Sequence, residues 1–143
     1  MSAQGCMRRV MANVAIGEPL DEGELQALFA ASWPGYVPQP FAPVLARSLT
    51  WVSARDGGVL VGFVNVATDG GRHAFLLDPT VHPRMRRRGI GTSLVDAAAQ
   101  RAYEAGATWL HVDYEPSLAP FYARCGFTPS SAGVRKLRTG EGG

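Results

Sequence analysis

Cysteine, long apolar runs and net charge are all scarce in this sequence, and each scarcity excludes a class of protein. Cys6 and Cys125 are too few for a disulfide framework, and no Cys/His cluster has the spacing of zinc ligands. No run reaches the roughly 18 to 20 apolar residues that a membrane-spanning helix needs. The segment after Arg8 and Arg9 is short, is interrupted by Asn13 and has no clear cleavage site, unlike a secretory signal. We therefore expect a soluble protein of the reducing cytoplasm, with no metal and no membrane partner.

The charge is nearly balanced, at +2 from 14 basic and 12 acidic residues, so positive charge matters here by its position. It is concentrated in one turn, residues 84–88. Because the rest of the chain carries no alternation of basic and aromatic residues, we expect no nucleic-acid partner. An apolar content of 46% over 143 residues fits one folded domain, 1–143, with loose ends at residues 1–9 and 139–143.

The first half of the chain reads as a strand, two helices and an antiparallel meander. Asp21 and Glu24 have the spacing of a capping box, which predicts a helix that ends at Pro34-Gly35. Glycine pairs at 57–58 and 70–71 predict tight turns between strands. The predicted elements are a strand at 10–16, a helix from 22, a short helix at 41–49, and strands at 51–55, 59–67 and 73–81.

Two local features interrupt this pattern. Pro79 lies inside the third meander strand, and because proline cannot donate to a sheet ladder, we expect a bulge just before Val81. The segment 33–40 contains three prolines with Trp33 and Tyr36, so it is a loop that folds over something. It is either the wall of a substrate pocket or a loop packed on the core.

The chain is organised around residues 81–92, where a strand leads through a basic, glycine-bearing turn into a helix. The first backbone N–H groups of a helix have no partner within the helix, and the helix dipole attracts anions there. Gly89 and Gly91 allow a bulky anion to approach the backbone, and the arginines add forked donors. The turn therefore predicts a phosphate site. The alternative is a solvated basic turn.

After the turn, a helix at 92–105 ends at Gly106, and an apolar strand follows at 109–114. A strand, a helix and a strand in succession indicate that strands 73–81 and 109–114 run parallel. A short helix is predicted from Pro116 to Gly126, and residues 127–137 read as a last strand or hairpin.

With the turn RRRGIG at 86–91 and the segment FYARCGF at 121–127, the chain resembles the GNAT superfamily of acyl-CoA-dependent N-acetyltransferases. The order of helices and strands matches over roughly residues 18–137. The resemblance implies a single α/β (α+β) domain with a central mixed sheet. That sheet would combine the antiparallel meander with a parallel, splayed strand pair, flanked by about four helices.

The resemblance also implies acetyl-CoA as co-substrate and direct transfer of the acetyl group to a primary amine in a ternary complex. The pyrophosphate of coenzyme A would lie on the backbone of Arg86, Arg87, Arg88, Gly89, Ile90, Gly91 and Thr92. The pantetheine arm would pair with the strand near Val81, whose amide would contact the acetyl carbonyl. Cys125 has no histidine placed by sequence to activate it, so an acyl-cysteine is disfavoured.

Two proton transfers complete the implied chemistry. By family position Tyr122 protonates the departing thiolate, unless it only anchors coenzyme A. The base that deprotonates the amine is Asp78 or Glu115, ranked above His82, Asp113 or a water chain. Either carboxylate could instead serve only to attract a cationic substrate. For Asp78 a structural role is also open, in which it caps or braces the bend at Pro79.

Three alternatives stay open at this point. The chain is a catalytically silent coenzyme A-binding regulatory domain, or it acetylates a protein or peptide instead of a small-molecule amine. A homodimer through the apolar edge of the meander or the last strand is also open.

Overall fold

The computed structural model describes residues 12–138, so the predicted loose ends at 1–9 and 139–143 lie outside the described residues. The chain divides into two compact units, one up to Asp113 and one from Tyr114 onward. The first unit contains a five-stranded sheet in the order β1-β2-β3-β4-β5. Its strands are β1 (Asn13–Ile16), β2 (Thr50–Asp56), β3 (Val59–Thr68), β4 (His73–Val81) and β5 (Trp109–Val112).

The sheet is mixed, as expected. β1 to β4 are antiparallel neighbours, whereas β4 and β5 run parallel. The β2–β3 hairpin closes at Gly57 and Gly58, with φ of 58° and 86°, a backbone conformation that favours glycine. In the β3–β4 turn, the Asp69 carboxylate accepts from the amides of Gly71 and His73, at 2.7 and 3.2 Å. These local turns fix the register of the meander.

Helix α1 (Glu22–Ser32) lies on one side of the sheet and begins with the predicted capping box. The Asp21 carboxylate accepts from the Glu24 amide at 3.2 Å, and Glu24 accepts from the Asp21 amide at 3.0 Å. A short helix α2 (Ala42–Arg47) follows. The apolar side chains under these helices form one buried cluster, made of Leu25, Leu28, Phe29, Phe41, Leu60 and Phe63.

Helix α3 (Ile90–Glu104) makes the crossover between the parallel strands and packs on β2, β3 and β4. A Cβ at Gly62 of β3 would lie 3.1 Å from the Leu94 side chain and 3.2 Å from that of Ile90. Glycine is therefore needed there for the helix to approach the sheet. Leu94, Val95, Ala98 and Ala102 are buried on this helix, so two of its alanines lie on the packed face.

The second unit contains a 3-10 turn (Pro116–Leu118) and helix α4 (Ala119–Arg124), where a single short helix was predicted. The expected strand or hairpin at 127–137 is wrong, because no regular structure follows Arg124 up to residue 138. A strand needs a hydrogen-bonded neighbour and at least one covered face. Val134 and Leu137 are instead 86% and 87% exposed, so this stretch buries almost none of its apolar surface.

The described residues thus form the predicted α/β arrangement of a mixed sheet with four α-helices. Within residues 12–138, no helix has both the length and the apolar character needed to cross a membrane. The same part of the chain holds no group of three or more His, Cys, Asp or Glu side chains arranged to bind a metal ion.

Candidate functional site

A bulge interrupts β4 at the predicted place. Phe63 of β3 pairs with Thr80 and Asn65 pairs with Leu77, so two residues of β4, Asp78 and Pro79, lie opposite one residue of β3. Asp78 has a φ of 55°, one of two positive values among the non-glycine residues described. Proline has no N–H to donate at this point, so the ladder breaks there without leaving a buried donor unpaired.

Beyond the bulge, the backbone of Val81 faces away from β3. Val81 pairs with Gly62, and the His82 amide donates to the Val61 carbonyl at 2.8 Å. In an antiparallel ladder, a hydrogen bond from His82 to Val61 flanks a pair, Gly62 and Val81, whose own backbone groups do not bond each other. The N–H and C=O of Val81 therefore point toward the other edge of β4.

That other edge is open near Val81. The pairing of β4 with β5 runs from His73 and Trp109 to Leu76 and Val112, and β4 then continues for five more residues, Leu77 to Val81. The two parallel strands therefore stop pairing before β4 ends. An extended chain could pair with the remaining edge as an added strand does.

The turn that follows brings backbone N–H groups together at the start of α3. Residues Pro83–Met85 form a 3-10 turn, and Arg87 and Gly89 then take positive φ values of 65° and 82°. The first backbone bond of α3 runs from the Ser93 amide to the Gly89 carbonyl at 3.1 Å, and no side chain caps the helix. The amides of Ile90, Gly91 and Thr92 are consequently available to an anion.

The four arginines of the turn are not equivalent. Arg86 Nε donates to the Val81 carbonyl at 3.1 Å, and its Nη2 donates to the Ser32 carbonyl at 3.4 Å. Arg84, Arg87 and Arg88 are exposed, and both ion pairs found within residues 12–138 belong to Arg55 instead. Sequence reasoning treated these arginines alike, whereas the structure gives Arg86 two carbonyl partners.

The candidate bases lie in different settings. Asp78 is in the bulge, and although the residue as a whole is exposed, the surrounding protein desolvates its carboxyl group and raises its pKa. His82 accepts from the Arg84 amide at 3.2 Å and so caps the 3-10 turn. Asp113 is exposed at the end of the first unit. Glu115 belongs to the second unit, where its side chain is exposed and its carbonyl accepts from the Leu118 amide at 2.8 Å.

Tyr122 lies in an aromatic group within the second unit. Its ring stacks on Tyr114 at a centroid distance of 4.7 Å and meets the rings of Phe121 and Phe127 edge-on, at 4.9 and 5.6 Å. The residue is 3% exposed. Burial raises the pKa of its phenol, with a smaller contribution from Cys125, so Tyr122 keeps its proton at neutral pH.

The 33–40 loop packs on the core through Tyr36, which is one of its two predicted roles. Tyr36 packs on the core, with its ring 5.7 Å from Phe29 and its hydroxyl donating to Gln26 at 2.7 Å. Trp33 is 43% exposed, and its indole N–H donates to the hydroxyl of Thr80, the residue just after the β4 bulge, at 3.0 Å. Sequence reasoning missed the contact between Trp33 and Thr80, because no periodicity or motif links residues 47 positions apart.

The sequence profile of the acetyltransferase (GNAT) family matches residues 23–127. A mycothiol acetyltransferase from Mycobacterium avium is 35% identical over 86 residues, which cover 60% of this chain and 26% of that protein. The chain thus spans about a quarter of the length of the curated relatives it matches.

Solved structures have the same fold. A GNAT family acetyltransferase from Streptococcus pneumoniae superimposes with a TM-score of 0.78 and 25% identity, covering 90% of this chain and 99% of the other. The protein AAC(6')-Iy, solved in complex with the bisubstrate analogue CoA-S-monomethyl-acetylneamine, gives a TM-score of 0.69 at 19% identity. That superposition covers 89% of this chain and 97% of the other.

Proposed function

Since the chain belongs to the acetyltransferase (GNAT) family, we propose that it transfers the acetyl group of acetyl-CoA directly to a primary amine in a ternary complex. The observation that carries this proposal is the backbone of the turn. The free amides of Ile90, Gly91 and Thr92 lie at a helix N-terminus, and the Val81 amide faces the unpaired edge of β4. One stretch of chain thus offers donors for both the pyrophosphate and the acetyl carbonyl of acetyl-CoA.

The turn would bind the pyrophosphate. The donors are backbone N–H groups that have no competing cap, and the exposed guanidinium groups of Arg87 and Arg88 add charge. The helix dipole of α3 acts in the same direction, since its positive end lies at Ile90. Charge-assisted bonds of this kind are about twice as strong as neutral ones, so the turn would supply much of the affinity.

The pantetheine arm would pair with the open edge of β4, which extends from Leu77 to Val81 beyond the last residue paired with β5. Its amide groups suit this role because they alternate donors and acceptors as a strand does. The Val81 N–H would donate to the acetyl carbonyl. When the amine attacks, negative charge grows on that oxygen, and a fixed donor then lowers the barrier.

Two side chains would move the protons. Asp78 would accept the proton of the substrate ammonium, since its raised pKa brings a carboxylate closer to the range where it acts as a base. Glu115 is the second candidate for this step. Tyr122 would donate its proton to the thiolate of coenzyme A as the carbon–sulfur bond breaks, and its raised pKa is consistent with a group that stays protonated until then. The products are an acetylated amine and free coenzyme A.

The acceptor is proposed to be a small amine. The complex of AAC(6')-Iy with a coenzyme A–acetylneamine analogue supports this, because a protein of this fold accommodates a small amino compound next to coenzyme A. A peptide or protein acceptor, and a catalytically silent domain, are the alternatives.

The test is calorimetric titration of the full chain with acetyl-CoA, followed by an assay of free thiol release with a panel of small primary amines and peptides. The matched variants are Gly91→Glu, which places a carboxylate at the helix start, and Gly91→Ala, which adds a methyl group without charge. We expect wild type to bind, Gly91→Ala to bind more weakly, and Gly91→Glu to lose binding while keeping its fold, because only the glutamate adds negative charge to the site. Binding without thiol release from any acceptor would favour the silent domain. Absence of binding to the wild-type chain would refute the proposal.

A further inference from the structure

Two side chains, Trp33 and Arg86, connect the end of α1 with the part of β4 that follows the bulge. The indole N–H of Trp33 donates to Thr80 Oγ1 at 3.0 Å, and that hydroxyl donates to the Asp78 carbonyl at 2.9 Å. Thr80 is 2% exposed, so water does not replace these bonds easily. A hydroxyl has one proton to give. With Trp33 as its donor, Thr80 directs that proton to Asp78 and holds the bulge in shape.

Arg86 makes the second connection. Its guanidinium bonds the Val81 carbonyl at the end of β4 and the Ser32 carbonyl in the last residue of α1. A guanidinium has five N–H groups, and these two bonds use one from Nε and one from Nη2. Three N–H groups remain, so Arg86 can donate to an anion in the turn while it keeps both carbonyl partners.

We propose that Trp33 and Arg86 are positioning residues that couple acetyl-CoA binding at the turn to the order of the 33–40 loop. The inference rests on the proposed function, since acetyl-CoA is the ligand that would occupy the turn. A phosphate bound to the free N–H groups of Arg86 restricts its guanidinium. Because the same group bonds Ser32, the residue just before the loop, this restriction extends to the start of the loop.

Trp33 connects the same loop to the thioester end of the ligand. It bonds Thr80, which directly precedes Val81, the residue proposed to hold the acetyl carbonyl. The Trp33 side chain is 43% exposed, so burial alone does not fix the loop and a ligand can change its order. By thermodynamic reciprocity, the loop contact must in turn strengthen acetyl-CoA binding. Losing one neutral hydrogen bond corresponds to roughly a two- to tenfold change in affinity.

The experiment follows the indole N–H signals in ¹H–¹⁵N spectra of the full chain during titration with acetyl-CoA. The chain has three tryptophans, and the Trp33 signal is identified by its loss in Trp33→Phe. Trp109→Phe is the matched control, because Trp109 is 61% exposed at the start of β5 and takes no part in these contacts. The Trp51 signal reports the fold, since its indole bonds the Glu18 carbonyl at 2.7 Å.

We expect acetyl-CoA to shift the Trp33 signal and slow its exchange with solvent, while the Trp109 signal stays unchanged. Trp33→Phe should bind acetyl-CoA roughly two- to tenfold more weakly than wild type, and Trp109→Phe should bind like wild type. Thr80→Val should abolish the Trp33 response, and Thr80→Ser, which keeps the hydroxyl, should restore it. In Arg86→Lys, which keeps the charge but loses the fork, saturating acetyl-CoA should shift the Trp33 signal less than in wild type, because only the connection through Thr80 remains.

Failure of this inference is distinct from failure of the proposed function. If acetyl-CoA binds the wild-type chain but leaves the Trp33 signal in place, and Trp33→Phe binds with wild-type affinity, the coupling is refuted and the acetyltransferase proposal stands. If acetyl-CoA does not bind the wild-type chain at all, the proposed function fails and the coupling fails with it.

Discussion

Replacing Gly89 with alanine tests the turn most directly. Gly89 has φ 82° and ψ 2°, a left-handed conformation, and a Cβ built there meets no atom within 4 Å. The added methyl group therefore has space, and its cost comes from the backbone alone. For an L-residue this conformation costs roughly 1–2 kcal/mol.

The surroundings of the turn decide whether this cost lowers the stability of the free protein or its affinity for acetyl-CoA. Residues 86–89 are exposed, so the free protein can relax to a more favourable backbone. Acetyl-CoA binding would then have to restore the left-handed conformation. The expected result is an acetyl-CoA Kd raised roughly 5- to 30-fold, the equivalent of 1–2 kcal/mol, with little change in thermal stability.

Gly70 provides the matched control. Its φ is 81°, and a Cβ there also meets nothing within 4 Å, but it lies in the β3–β4 turn. Strand pairing on both sides holds that turn, so Gly70→Ala should lower the Tm by roughly 3–8 °C and leave the Kd for acetyl-CoA unchanged. Titration calorimetry gives the Kd for acetyl-CoA of both variants, and thermal denaturation gives their Tm. Wild-type affinity in Gly89→Ala would show that the left-handed turn is not needed, and the phosphate site would have to lie elsewhere.

Three further predictions concern side chains. Tyr122→Phe should lower kcat roughly 100-fold or more while the Kd for acetyl-CoA stays within about threefold, and steady-state kinetics with equal kcat would return Tyr122 to a structural role. Asp78→Asn should lower turnover without lowering stability at pH 7. The folded state raises the pKa of Asp78, so the stability that this group contributes is present at low pH and is lost as the pH rises through its folded pKa. Urea denaturation at pH 4 and pH 7 measures this effect: the difference between the two free energies of unfolding should be smaller in Asp78→Asn than in wild type. Arg55→Ala should cost about 2 kcal/mol at pH 7, because Arg55 bonds Glu24 at 2.7 Å and Glu18 at 2.9 Å. Arg55 lowers the pKa of Glu24 below its ordinary 4.5, so this stabilisation is present above pH 4.5 and is lost as the pH falls through the folded pKa. If Arg55→Ala lowered the free energy of unfolding equally at pH 7 and pH 3, the ion pair would not be the source of the stabilisation.

The turns and caps were predictable because each depends on a few neighbouring residues. Asp21 and Glu24 predicted the capping box, and the glycine pair at 57–58 predicted the hairpin. Pro79 predicted the bulge, since a missing N–H breaks the ladder whatever lies across the sheet. The last strand at 127–137 was predicted in error. A strand forms only where a neighbour pairs with it, and the residues of this stretch carry no information about such a neighbour.

The sequence by itself determined that a helix N-terminus rich in glycine and arginine follows a bulged strand, because those properties are local. Only the tertiary structure decided that pairing of β4 with β5 ends at Leu76, that the Val81 amide faces the open edge, that Trp33 bonds Thr80 and that Arg86 bonds Ser32. These features depend on register and on residues 47 and 54 positions apart. Contacts between residues so far apart in the sequence form when the core packs, because burial selects which faces meet. No local pattern specifies them.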